Sequence, residues 1–558
     1  MDNYQIADSF SLLAKLMDIH GENSFKAKSY ASAAFAIENL QVQLTELPAE
    51  KIPGLKGIGT STAQKIDEIL KTGKLKILDE LVQKTPPGVL EMLNIKGIGP
   101  KKIHTIWKEM EIESVGELLY ACKENRLKLY KGFGEKTQQN IIDTIEFYNK
   151  NKGSHLYAQV ALVAAEIESF IQKIFPGKKI AITGNYKRQQ EVIDEFELLV
   201  EAGEAEIEMA MQQVDGFSQK EKQPGYFCYA TSIGINVKLY YTDAADFINT
   251  LVKTSSSPLF YESLVTHSQS LTNITTEESY FERAGLPFIP APLREDAQAS
   301  KINSGMPLPE VIQPGDIRGI IHCHSNWSDG SNSIEDMARA AMDKGLEYLV
   351  ISDHSKSAFY AQGLSEERIR EQHKYVDELN EKLRPFRIFK SIESDILNDG
   401  SLDYSNEVLA SFDLVIASVH SNLKMNEEKA MSRLLAAIEN PYTTILGHMT
   451  GRLLLSRPGY PVDHRKIIDA CADNHVVIEL NAHPNRLDID WRHIQYALEK
   501  NVLISIDPDS HVKEGIDDTK YGVLVAQKAM LTKERNLSSF SLADFEKYIT
   551  ERRKLKAI

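Results

Sequence analysis

Seven short apolar runs, separated by helix-like segments, constrain the fold of the second half of the chain more than any other feature of the sequence. The runs begin at Gly319, Glu347, Arg387, Asp413, Thr443, Val476 and Val502. Continuous apolar runs that alternate with helices are typical of parallel strands whose two faces are both buried. We therefore predict a (β/α)7 barrel in residues 318–558. Such a barrel presents its chemistry at the carboxyl ends of its strands.

Imidazole and carboxylate groups stand at the ends of these runs. Histidine is concentrated in the same half, since 11 of the 15 histidines lie from His322 onward. Nine residues are predicted metal ligands on this basis: His322, His324, Asp329, His354, Glu393, His420, His448, Asp509 and His511. Imidazole and carboxylate ligands suit zinc, manganese and iron. One such residue alone, for example His448, would be better explained as a hydrogen-bonded core histidine, but nine at successive strand ends favour a metal centre.

The number and spacing of these ligands predict more than one ion. On an extended strand, residues i and i+2 share a face, so the pairs His322/His324 and Asp509/His511 are each expected to hold one metal. Nine ligands exceed what one or two ions need, and we therefore expect three divalent ions of manganese, zinc or iron. A carboxylate shared by two ions would give them the short separation that phosphoester hydrolases use. Cys323 alternates to the opposite face and is predicted to be a core residue.

A five-residue pattern of an apolar residue, lysine, glycine, an apolar residue and glycine occurs three times in the first 150 residues. The copies are LKGIG at 55–59, IKGIG at 95–99 and YKGFG at 130–134, and a helix-like stretch follows each. One copy alone would indicate a glycine C-cap between packed helices. Three copies predict helix–hairpin–helix units, in which the glycines allow a tight turn and free backbone N–H groups meet a DNA phosphate.

These hairpins predict binding to DNA without sequence preference, because lysine and backbone N–H groups contact phosphate rather than base edges. The net charge of −15 argues against a polyanionic partner, but residues 51–136 hold 16 Lys and Arg against 11 Asp and Glu. A locally basic segment in an acidic chain supports a nucleic-acid partner. We thus assign residues 1–150 to a helical DNA-binding region. Its predicted DNA contacts are Lys56, Gly57, Gly59, Lys96, Gly97, Gly99, Lys131, Gly132 and Gly134.

The first residues and the cysteines indicate a reducing compartment. The opening MDNYQIADSF lacks the basic and apolar segments of a secretory signal, and no run of about 18 apolar residues is present. The four cysteines, Cys122, Cys228, Cys323 and Cys471, lie far apart and form no CxxC pair. We therefore expect a monomeric cytoplasmic protein that associates with the nucleoid and not with a membrane.

Longer motifs around the predicted ligands make the second half recognisable. HCHSNWSDG, SDH, IESDILNDG, SVHSNLK, LGHMTGR and IDPDSH resemble the polymerase-and-histidinol-phosphatase (PHP) domain. The three hairpins upstream, with GNYKR and AGLPFIPAPLRE between, resemble bacterial family X DNA polymerases that end in such a domain. The resemblance implies a multidomain protein: an all-α helix–hairpin–helix region, an α/β (α+β) polymerase-like palm in 151–294, a linker in 295–317 and a C-terminal PHP barrel.

The resemblance also implies how the ligands are shared among the ions. One metal would be held by His322, His324, Glu393 and Asp509. A second would be held by Asp329, His354 and His511, and a third by Glu393, His420 and His448. The implied activities are a manganese-dependent 3′–5′ exonuclease and an abasic-site endonuclease, acting on gapped, 3′-ended or abasic DNA.

The polymerase signature of that family is altered in this chain. The family's G-S-x-R-R-G loop is here GNYKRQ, which contains Arg188, and Glu195 and Glu197 occupy the positions of its two metal-binding aspartates. Lys238 stands where the third aspartate belongs, and LVKTSSS replaces the Y-F-T-G-S nucleotide contact. Magnesium requires near-ideal octahedral geometry, and a lysine adds a like charge beside the cations. We expect polymerase activity to be lost or weak and magnesium binding in the palm to be poor.

Lys65 lies on the helix-like stretch after the first hairpin. It resembles the lysine that forms a Schiff base with deoxyribose phosphate in the beta-polymerase relatives. A Schiff-base lysine needs a lowered pKa, from burial or from neighbouring cations such as Lys71 and Lys74. The alternative is an exposed helix lysine that contacts phosphate. Lys65 is thus a candidate catalytic residue for lyase chemistry.

Four functions compete at this stage. The favoured one is a DNA-repair nuclease, in which the hairpins hold DNA and the barrel hydrolyses phosphodiesters. The second is an active gap-filling polymerase with a proofreading exonuclease, which Lys238 disfavours. The third is a small-molecule phosphatase, which would leave the three hairpins without a purpose. The fourth is a DNA-binding scaffold without activity, which the nine potential ligands disfavour.

Overall fold

The computed structural model describes residues 2–40, 42–123, 127, 130–151, 153–266, 274–296, 308–455 and 458–558. The chain forms two compact units, Met1–Lys152 and Gly153–Ile558. Residues 297–307 of the predicted linker 295–317 lie outside the described residues. None of the helices in the ranges given combines the length and the apolar character needed to cross a lipid bilayer.

The first unit is built from short helices around one apolar core. Its α-helices are α1 (Asn3–His20), α2 (Ser24–Glu38), α3 (Thr60–Thr72), α4 (Lys76–Lys84), α5 (Pro87–Met92), α6 (Pro100–His104), α7 (Val115–Lys123) and α8 (Glu135–Asn151). Two 3-10 turns, Leu44–Glu46 and Ala49–Gly54, lie between α2 and α3. The core includes Phe10, Ile66 and Ile103, which are fully buried. The predicted all-α architecture of this region is confirmed.

The second unit begins with a mixed sheet covered by helices. In chain order its elements are β1 (His155–Leu156), α9 (Tyr157–Ala161), α10 (Ala164–Ile174), β2 (Ile180–Ile182), α11 (Gly184–Lys187), β3 (Val192–Ile193), β4 (Glu195–Glu201), α12 (Glu204–Met211), β5 (Phe217–Gln223), β6 (Tyr226–Thr231), β7 (Asn236–Thr242), α13 (Phe247–Thr254), α14 (Pro258–Val265) and α15 (Glu277–Arg283). The five-stranded sheet has the order β2-β4-β7-β6-β5, and only β4 and β7 run parallel within it. Their register places Glu197 beside Lys238.

A barrel of seven parallel strands follows, with helices between successive strands. Its elements are β8 (Gly319–Cys323), α16 (Ile334–Asp343), β9 (Tyr348–Ile351), α17 (Glu366–Lys382), β10 (Arg387–Asp395), α18 (Asn406–Leu409), β11 (Leu414–Ser418), α19 (Glu427–Glu439), β12 (Thr443–Leu446), α20 (His464–Asp473), β13 (Val477–Asn481), α21 (Trp491–Glu499), β14 (Ile504–Asp507), α22 (Thr519–Lys528) and α23 (Leu542–Lys556). The strand order follows the chain from β8 to β14. A hydrogen bond from the amide of His324 to the carbonyl of Ser510 (2.8 Å) brings the two ends of the sheet together. The predicted (β/α)7 fold is confirmed.

The barrel interior is apolar at one end and polar at the other. Strand residues such as Phe389 and Val477 form an interior cluster with Phe545 of α23. Because alternate strand residues share a face, the next positions along the same faces carry Glu393 and Glu479. The interior therefore changes from apolar packing to carboxylate and imidazole groups towards the carboxyl ends. Cys323 packs in the helix-facing core, as its alternation predicts.

Arg433 of α19 is almost fully buried and ties two strand-end loops together. Its Nε donates to the carbonyl oxygens of Ile396 (3.0 Å) and Leu397 (2.8 Å) after β10. Its Nη1 donates to the carbonyl oxygen of Ser421 (2.8 Å) after β11. Buried carbonyl groups need partners, so one side chain satisfies the backbone of both loops.

Lys528 joins the palm to the barrel. Its ammonium group is fully buried and donates to Glu295 Oε1 and to the carbonyl oxygen of Arg188, both at 2.7 Å. It also lies 4.8 Å from the centre of the Trp491 ring. Burial lowers the pKa of Lys528 to about 8, and Glu295 opposes that effect. A second contact joins Arg492 of α21 to Glu191 at 3.1 Å.

We predict that Arg433→Met destabilises the barrel. The substitution keeps the apolar volume but removes the side-chain donors to the carbonyl oxygens of Ile396 and Ser421, which should lower the free energy of unfolding by about 3 kcal/mol. Urea denaturation of the full chain measures the change. Arg339→Met is the matched control, since Arg339 forms an exposed pair with Glu335 on α16 and should cost about 0.5 kcal/mol or less. Equal stability of the two variants would contradict the assigned role of Arg433.

Candidate metal centre and nucleic-acid interface

The nine predicted ligands gather at the carboxyl ends of the barrel strands. Most of them are buried, whereas the Asp329 side chain is 33% exposed and that of His511 is 38% exposed. Four overlapping groups place one ligand atom from each member within 4.8 Å of the others. The groups are His324, Asp329, His354 and His511; His322, Glu393 and His448; His322, His324 and Asp509; and His354, Glu393 and His420. Every predicted ligand belongs to at least one group.

Glu393 lies at the centre of this arrangement. Its Oε1 is 3.2 Å from His322 Nε2, 3.1 Å from His420 Nε2 and 3.0 Å from His448 Nε2. Its Oε2 is 2.9 Å from His354 Nδ1. One carboxylate is therefore shared by four imidazoles that come from four different strands. This is the geometry of a group that bridges neighbouring sites.

The observed groups do not always combine a ligand with the residue two positions along the chain. Asp509 groups with His322 and His324, whereas His511 groups with Asp329 and His354. The cause is the backbone, because Asp509 has a left-handed φ of 50° and lies beyond the end of β14. His322 has a φ of 58° at a break in the register of β8. The expectation that Asp509 and His511 hold the same metal therefore differs from the observed groups.

Several buried nitrogen and oxygen atoms of the cluster make no hydrogen bond, which suits them to bind metal ions. His322 Nε2 and Glu393 Oε2 are both buried and make no hydrogen bond, although each has an oppositely charged partner within about 3.2 Å. His324 Nδ1 and His448 Nδ1 are also buried and make no hydrogen bond. Unsatisfied buried polar atoms are costly unless something further binds them. Imidazole nitrogens and carboxylate oxygens that lie this close together without hydrogen bonds have the arrangement of ligands around a shared cation.

Three polar residues outside the predicted set support the ligands. Glu479 accepts a hydrogen bond from His322 Nδ1, and it accepts another from the amide of His448 at 2.5 Å. Asp395 bonds to His420 Nδ1 at 2.5 Å, and the Asn481 amide donates to Asp509 Oδ2 at 3.1 Å. Strand alternation was the available signal, because Asp395 follows Glu393 by two residues and Asn481 follows Glu479 by two. Sequence reasoning that looked only for ligands missed them.

The charges of the cluster suit ligation. Burial by itself would raise the pKa of Glu393, but the imidazoles of His420, His322 and His354 hold that pKa well below its ordinary value. Burial together with His511 and His354 lowers the pKa of His324 to about 3. At neutral pH Glu393 is therefore ionised and His324 is neutral, as metal binding requires. Glu393 raises the pKa of His354 to about 10 and that of His420 to about 9 against the effect of burial, so a bound metal would have to displace a proton from each of these imidazoles.

In the palm, the altered polymerase residues neutralise one another. Lys238 Nζ lies 2.5 Å from Glu195 Oε2, and both side chains are at least three-quarters buried. Glu197 Oε1 accepts the amide of Asn185 at 2.9 Å, and its Oε2 accepts the Tyr240 hydroxyl at 3.0 Å. Burial raises the pKa of Glu197. The two carboxylates are thus engaged within the protein.

Arg188 faces the barrel junction rather than these carboxylates. Its Nη2 donates to the side chain of Asn185, and its Nε lies 3.8 Å from Glu295 Oε1. Its carbonyl oxygen accepts from Lys528. The structure therefore brings Glu195, Glu197 and Lys238 together and places Arg188 at the edge of the palm.

The three hairpins have the same backbone geometry. The first glycine of each copy has a left-handed φ, 86° at Gly57, 88° at Gly97 and 93° at Gly132. Each turn is closed by an amide that donates to the carbonyl three residues earlier, at 3.0 Å in the first copy and 3.2 Å in the other two. The second glycine, Gly59 or Gly99, then directly precedes α3 or α6, and Gly134 precedes α8.

The lysines and helix starts of the hairpins face outward. Lys56, Lys96 and Lys131 are exposed. The helix α3 begins after Gly59 without a side-chain cap from the described residues. Its first backbone N–H groups have no partner within the helix, which makes such a helix start suitable for an anion.

Lys65 is half-buried on α3. Its Nζ lies 6.0 Å from the centre of the Tyr30 ring. Lys71, one of the cations expected near it, is paired with Asp67 at 2.6 Å. Part of the positive charge that a Schiff-base lysine would need nearby is therefore compensated.

Three segments of the chain match known protein families. Residues 1–75 match the helix-hairpin-helix domain, and residues 89–146 match the SAM-like helix-hairpin-helix tandem. Residues 321–483 match the PHP domain. The first two matches contain the three hairpins, and the third contains every predicted ligand except Asp509 and His511.

The curated relatives include a protein that matches nearly the whole chain and others that match less than half of it. A probable phosphatase of Thermoanaerobacter sp. (strain X514) is 26% identical over 250 residues, covering 42% of this chain and 94% of that protein. A probable phosphatase of Acetivibrio thermocellus is 29% identical over 204 residues, covering 34% of this chain and 78% of that protein. The DNA polymerase/3′-5′ exonuclease PolX of Bacillus subtilis (strain 168) is 31% identical over 558 residues, covering 96% of this chain and 97% of that protein. The chain therefore belongs to the PolX family and carries in its barrel a PHP domain, a family of metal-dependent hydrolases.

Proposed function

We propose that the barrel hydrolyses DNA phosphodiesters, as a 3′–5′ exonuclease and as an abasic-site endonuclease. The observation that carries this proposal is the Glu393 carboxylate shared by four imidazoles at the open end of the barrel. Divalent ions held there supply Lewis-acid polarisation of a phosphoryl oxygen and make water a better nucleophile near neutral pH. The name of the PolX relative includes one of these activities, the 3′-5′ exonuclease.

The proposed ligand sets are those that the family resemblance implies. The observed groups contain all of the second set, but they combine Glu393 and His448 with His322, and Glu393 and His420 with His354. One ion would be held by His322, His324, Glu393 and Asp509. A second would be held by Asp329, His354 and His511, and a third by Glu393, His420 and His448. Three ions of manganese, zinc or iron satisfy the donor chemistry. The proximity of His324 to Asp329 (4.0 Å) and to Asp509 (3.1 Å) supports neighbouring first and second sites.

Two carboxylates of the protein hold ligand imidazoles in the tautomer that metal binding requires. Glu479 and Asp395 each face the Nδ1 atom of a ligand histidine, His322 and His420 respectively. A carboxylate at Nδ1 fixes the proton there, so the Nε2 lone pair is left for a cation. Both Nε2 atoms lie close to Glu393 Oε1. These partners therefore orient the two imidazoles towards the shared carboxylate.

We propose that the three hairpins hold gapped, 3′-ended or abasic DNA without regard to sequence. The repeated geometry of their glycine turns and the exposure of their lysines support phosphate contacts by Lys56, Lys96 and Lys131. Lys65 stays a candidate for lyase chemistry. A monomeric protein, located in the cytoplasm at the nucleoid, is the proposed state for an enzyme that uses chromosomal DNA as substrate.

Polymerase activity is proposed to be lost or weak. The resemblance assigns magnesium binding to the positions of Glu195, Glu197 and Lys238. In this chain Glu195 and Lys238 form an ion pair, and Glu197 is bonded to Asn185 and Tyr240. Binding two magnesium ions would require these contacts to break and a lysine ammonium to move aside. The name of the PolX relative supports the competing function, an active gap-filling polymerase.

A small-molecule phosphatase is the other competing function. It is favoured by the probable phosphatases, which align with this chain over up to 94% of their own length. Those proteins align with less than half of this chain, and the hairpins would have no use in such a reaction. A comparison of cleavage of DNA with cleavage of small phosphomonoesters by the same preparation separates the two functions.

We predict that His322→Ala/His324→Ala abolishes nuclease activity. The double variant removes two buried ligands that both face Asp509, so the rate on a 3′-recessed duplex with manganese should fall by a factor on the order of 100 or more. Binding to duplex DNA should change little, since the hairpins are intact. His475→Ala, at an exposed position outside the cluster, is the control. Full manganese-dependent cleavage by the double variant would refute the assignment.

We predict that DNA binding is electrostatic and insensitive to sequence. Each phosphate contact contributes roughly −0.9 to the slope of log affinity against log salt on duplex DNA, so replacing Lys56, Lys96 or Lys131 by alanine should reduce the slope by about that amount. Fluorescence anisotropy with two unrelated duplexes measures the effect. Lys547→Ala, an exposed lysine of α23, should leave the slope unchanged. A strong dependence on base sequence at fixed salt would contradict this interpretation.

We predict that templated synthesis is absent or very weak. Primer extension on a one-nucleotide gap tests this in the His322→Ala/His324→Ala background, where degradation cannot hide synthesis. Restoring aspartate at Glu195, Glu197 and Lys238 should recover only part of the activity, because the GNYKRQ loop and LVKTSSS segment remain altered. Templated incorporation that disappears with Glu197→Ala would show that the palm is active.

A further inference from the structure

Arg486 lies beside the candidate metal centre, on the loop of residues 482–490 between β13 and α21. Its Nε is 3.6 Å from Oδ2 of Asp509, and its side chain is 19% exposed. This ion pair is longer than a hydrogen bond, and the side chain donates no hydrogen bond to the described residues. A guanidinium carries five N–H donors. Its two terminal nitrogens are therefore without an acceptor in the part of the chain that the structure describes.

The charge of Arg486 is the opposite of what a metal site needs. A positive group close to divalent ions repels them, so it weakens their binding. The same charge suits the anion on which the metals would act. The planar fork of an arginine matches two oxygens of a phosphate, and a donor that is already in place where negative charge develops contributes to catalysis. A phosphate is thus the group that fits beside this guanidinium.

Arg452 holds the backbone on which Arg486 stands. Its Nε donates to the carbonyl oxygen of Arg486 at 2.9 Å, and its Nη2 donates to the carbonyl oxygen of Leu487. Its Nη1 donates to Oδ2 of Asp490 at 2.8 Å. The three nitrogens of one guanidinium therefore bind three successive parts of the same loop. The place of Arg486 depends on the place of Arg452.

Glu191 of the palm, which directly precedes β3, completes this network. Its side chain is 8% exposed, and its Oε1 lies 4.0 Å from Nη2 of Arg452. The same oxygen accepts a hydrogen bond from Nη1 of Arg492 at 3.1 Å, and that nitrogen also donates to Oδ1 of Asp490 at 3.0 Å. Two carboxylates thus alternate with two guanidinium groups across the junction of palm and barrel. Buried charges in such a network depend on all of their partners.

The loop of Arg486 also packs against the palm. Pro484 and Leu487 line one small cavity together with Tyr157 and Gln190. Leu487 is 3% exposed. The loop therefore has the palm on one side and the metal cluster on the other, so a change on the palm side can reach the cluster through it.

We propose that Glu191 is a positioning residue for the nuclease: through Arg452 it sets the place of Arg486, whose guanidinium binds a DNA phosphate at the metal cluster. The inference rests on the proposed nuclease function. It gives the palm a part in hydrolysis that needs no polymerase chemistry. Every nucleotide carries a phosphate, so this contact is insensitive to sequence, in agreement with hairpins that contact the DNA backbone.

The test is a double-mutant cycle in the full chain. Wild-type protein, Glu191→Gln, Arg486→Met and the double variant are compared on a single-stranded oligonucleotide with saturating manganese. Glu295→Gln is the matched control, because it breaks the other buried contact between palm and barrel, the pair with Lys528. Electron paramagnetic resonance measures the manganese affinity, and hydrogen exchange of residues 482–490 is measured in the metal-free protein. Thermal melting verifies that the variants are folded.

The expected result is a loss that passes through the arginine. Arg486→Met should lower kcat/KM about 100-fold, with a manganese affinity that is unchanged or higher because a like charge has been removed. Glu191→Gln should lower kcat/KM about tenfold and accelerate exchange in the loop. Added to Arg486→Met, Glu191→Gln should cause no further loss. Glu295→Gln should retain the kcat/KM and the loop exchange of the wild type.

Other results would overturn the inference, for distinct reasons. Additive losses, or no loss from Glu191→Gln, would show that the palm does not act through Arg486. Weaker manganese binding by Arg486→Met would show that the arginine supports the ligand Asp509 and not a phosphate. Equal effects of Glu191→Gln and Glu295→Gln would indicate a general loosening of the junction. In these cases the nuclease function would stand, whereas a wild-type protein that does not cleave DNA with manganese would overturn that function, and this inference with it.

Discussion

The single carboxylate of Glu393 organises the barrel's chemistry. Four imidazoles from different strands approach it, and each arrives because a parallel strand ends at the same rim. Left without counter-charge, a buried carboxylate is strongly unfavourable, and a group of buried imidazoles is unfavourable in the same way. The carboxylate and its neighbours therefore depend on one another, and the outer carboxylates Glu479 and Asp395 extend this balance away from the centre.

In the palm, the buried carboxylates are stabilised by individual protein partners rather than by a cluster of imidazoles. Glu195 and Lys238 neutralise each other directly, and Glu197 is satisfied by a backbone amide and a tyrosine hydroxyl. The palm carboxylates thus bind protein groups, whereas the barrel retains buried nitrogen and oxygen atoms that make no hydrogen bond with the described residues. Within one chain, the carboxylates of the mixed sheet are paired with protein groups, whereas the carboxylates and imidazoles of the barrel have buried atoms available to a ligand.

The sequence was informative where periodicity and position determine the structure. The seven apolar runs predicted the strands, and the strand ends predicted which residues meet, because parallel topology leaves little freedom there. The hairpin repeats likewise predicted their turns. The separation of Asp509 from His511 depends on left-handed backbone beyond a strand end, which no alternation rule contains. The pairing of Lys238 with Glu195 depends on contacts between distant segments, and local pattern does not encode it.

The buried ammonium of Lys528 also determines where this chain can be divided. Its two acceptors, Glu295 and the backbone of Arg188, both belong to the palm side, while the lysine itself belongs to the last part of the barrel. A barrel separated from the palm would lose both acceptors and leave that charge to water. The two parts of this unit therefore depend on each other for stability, independently of any polymerase chemistry.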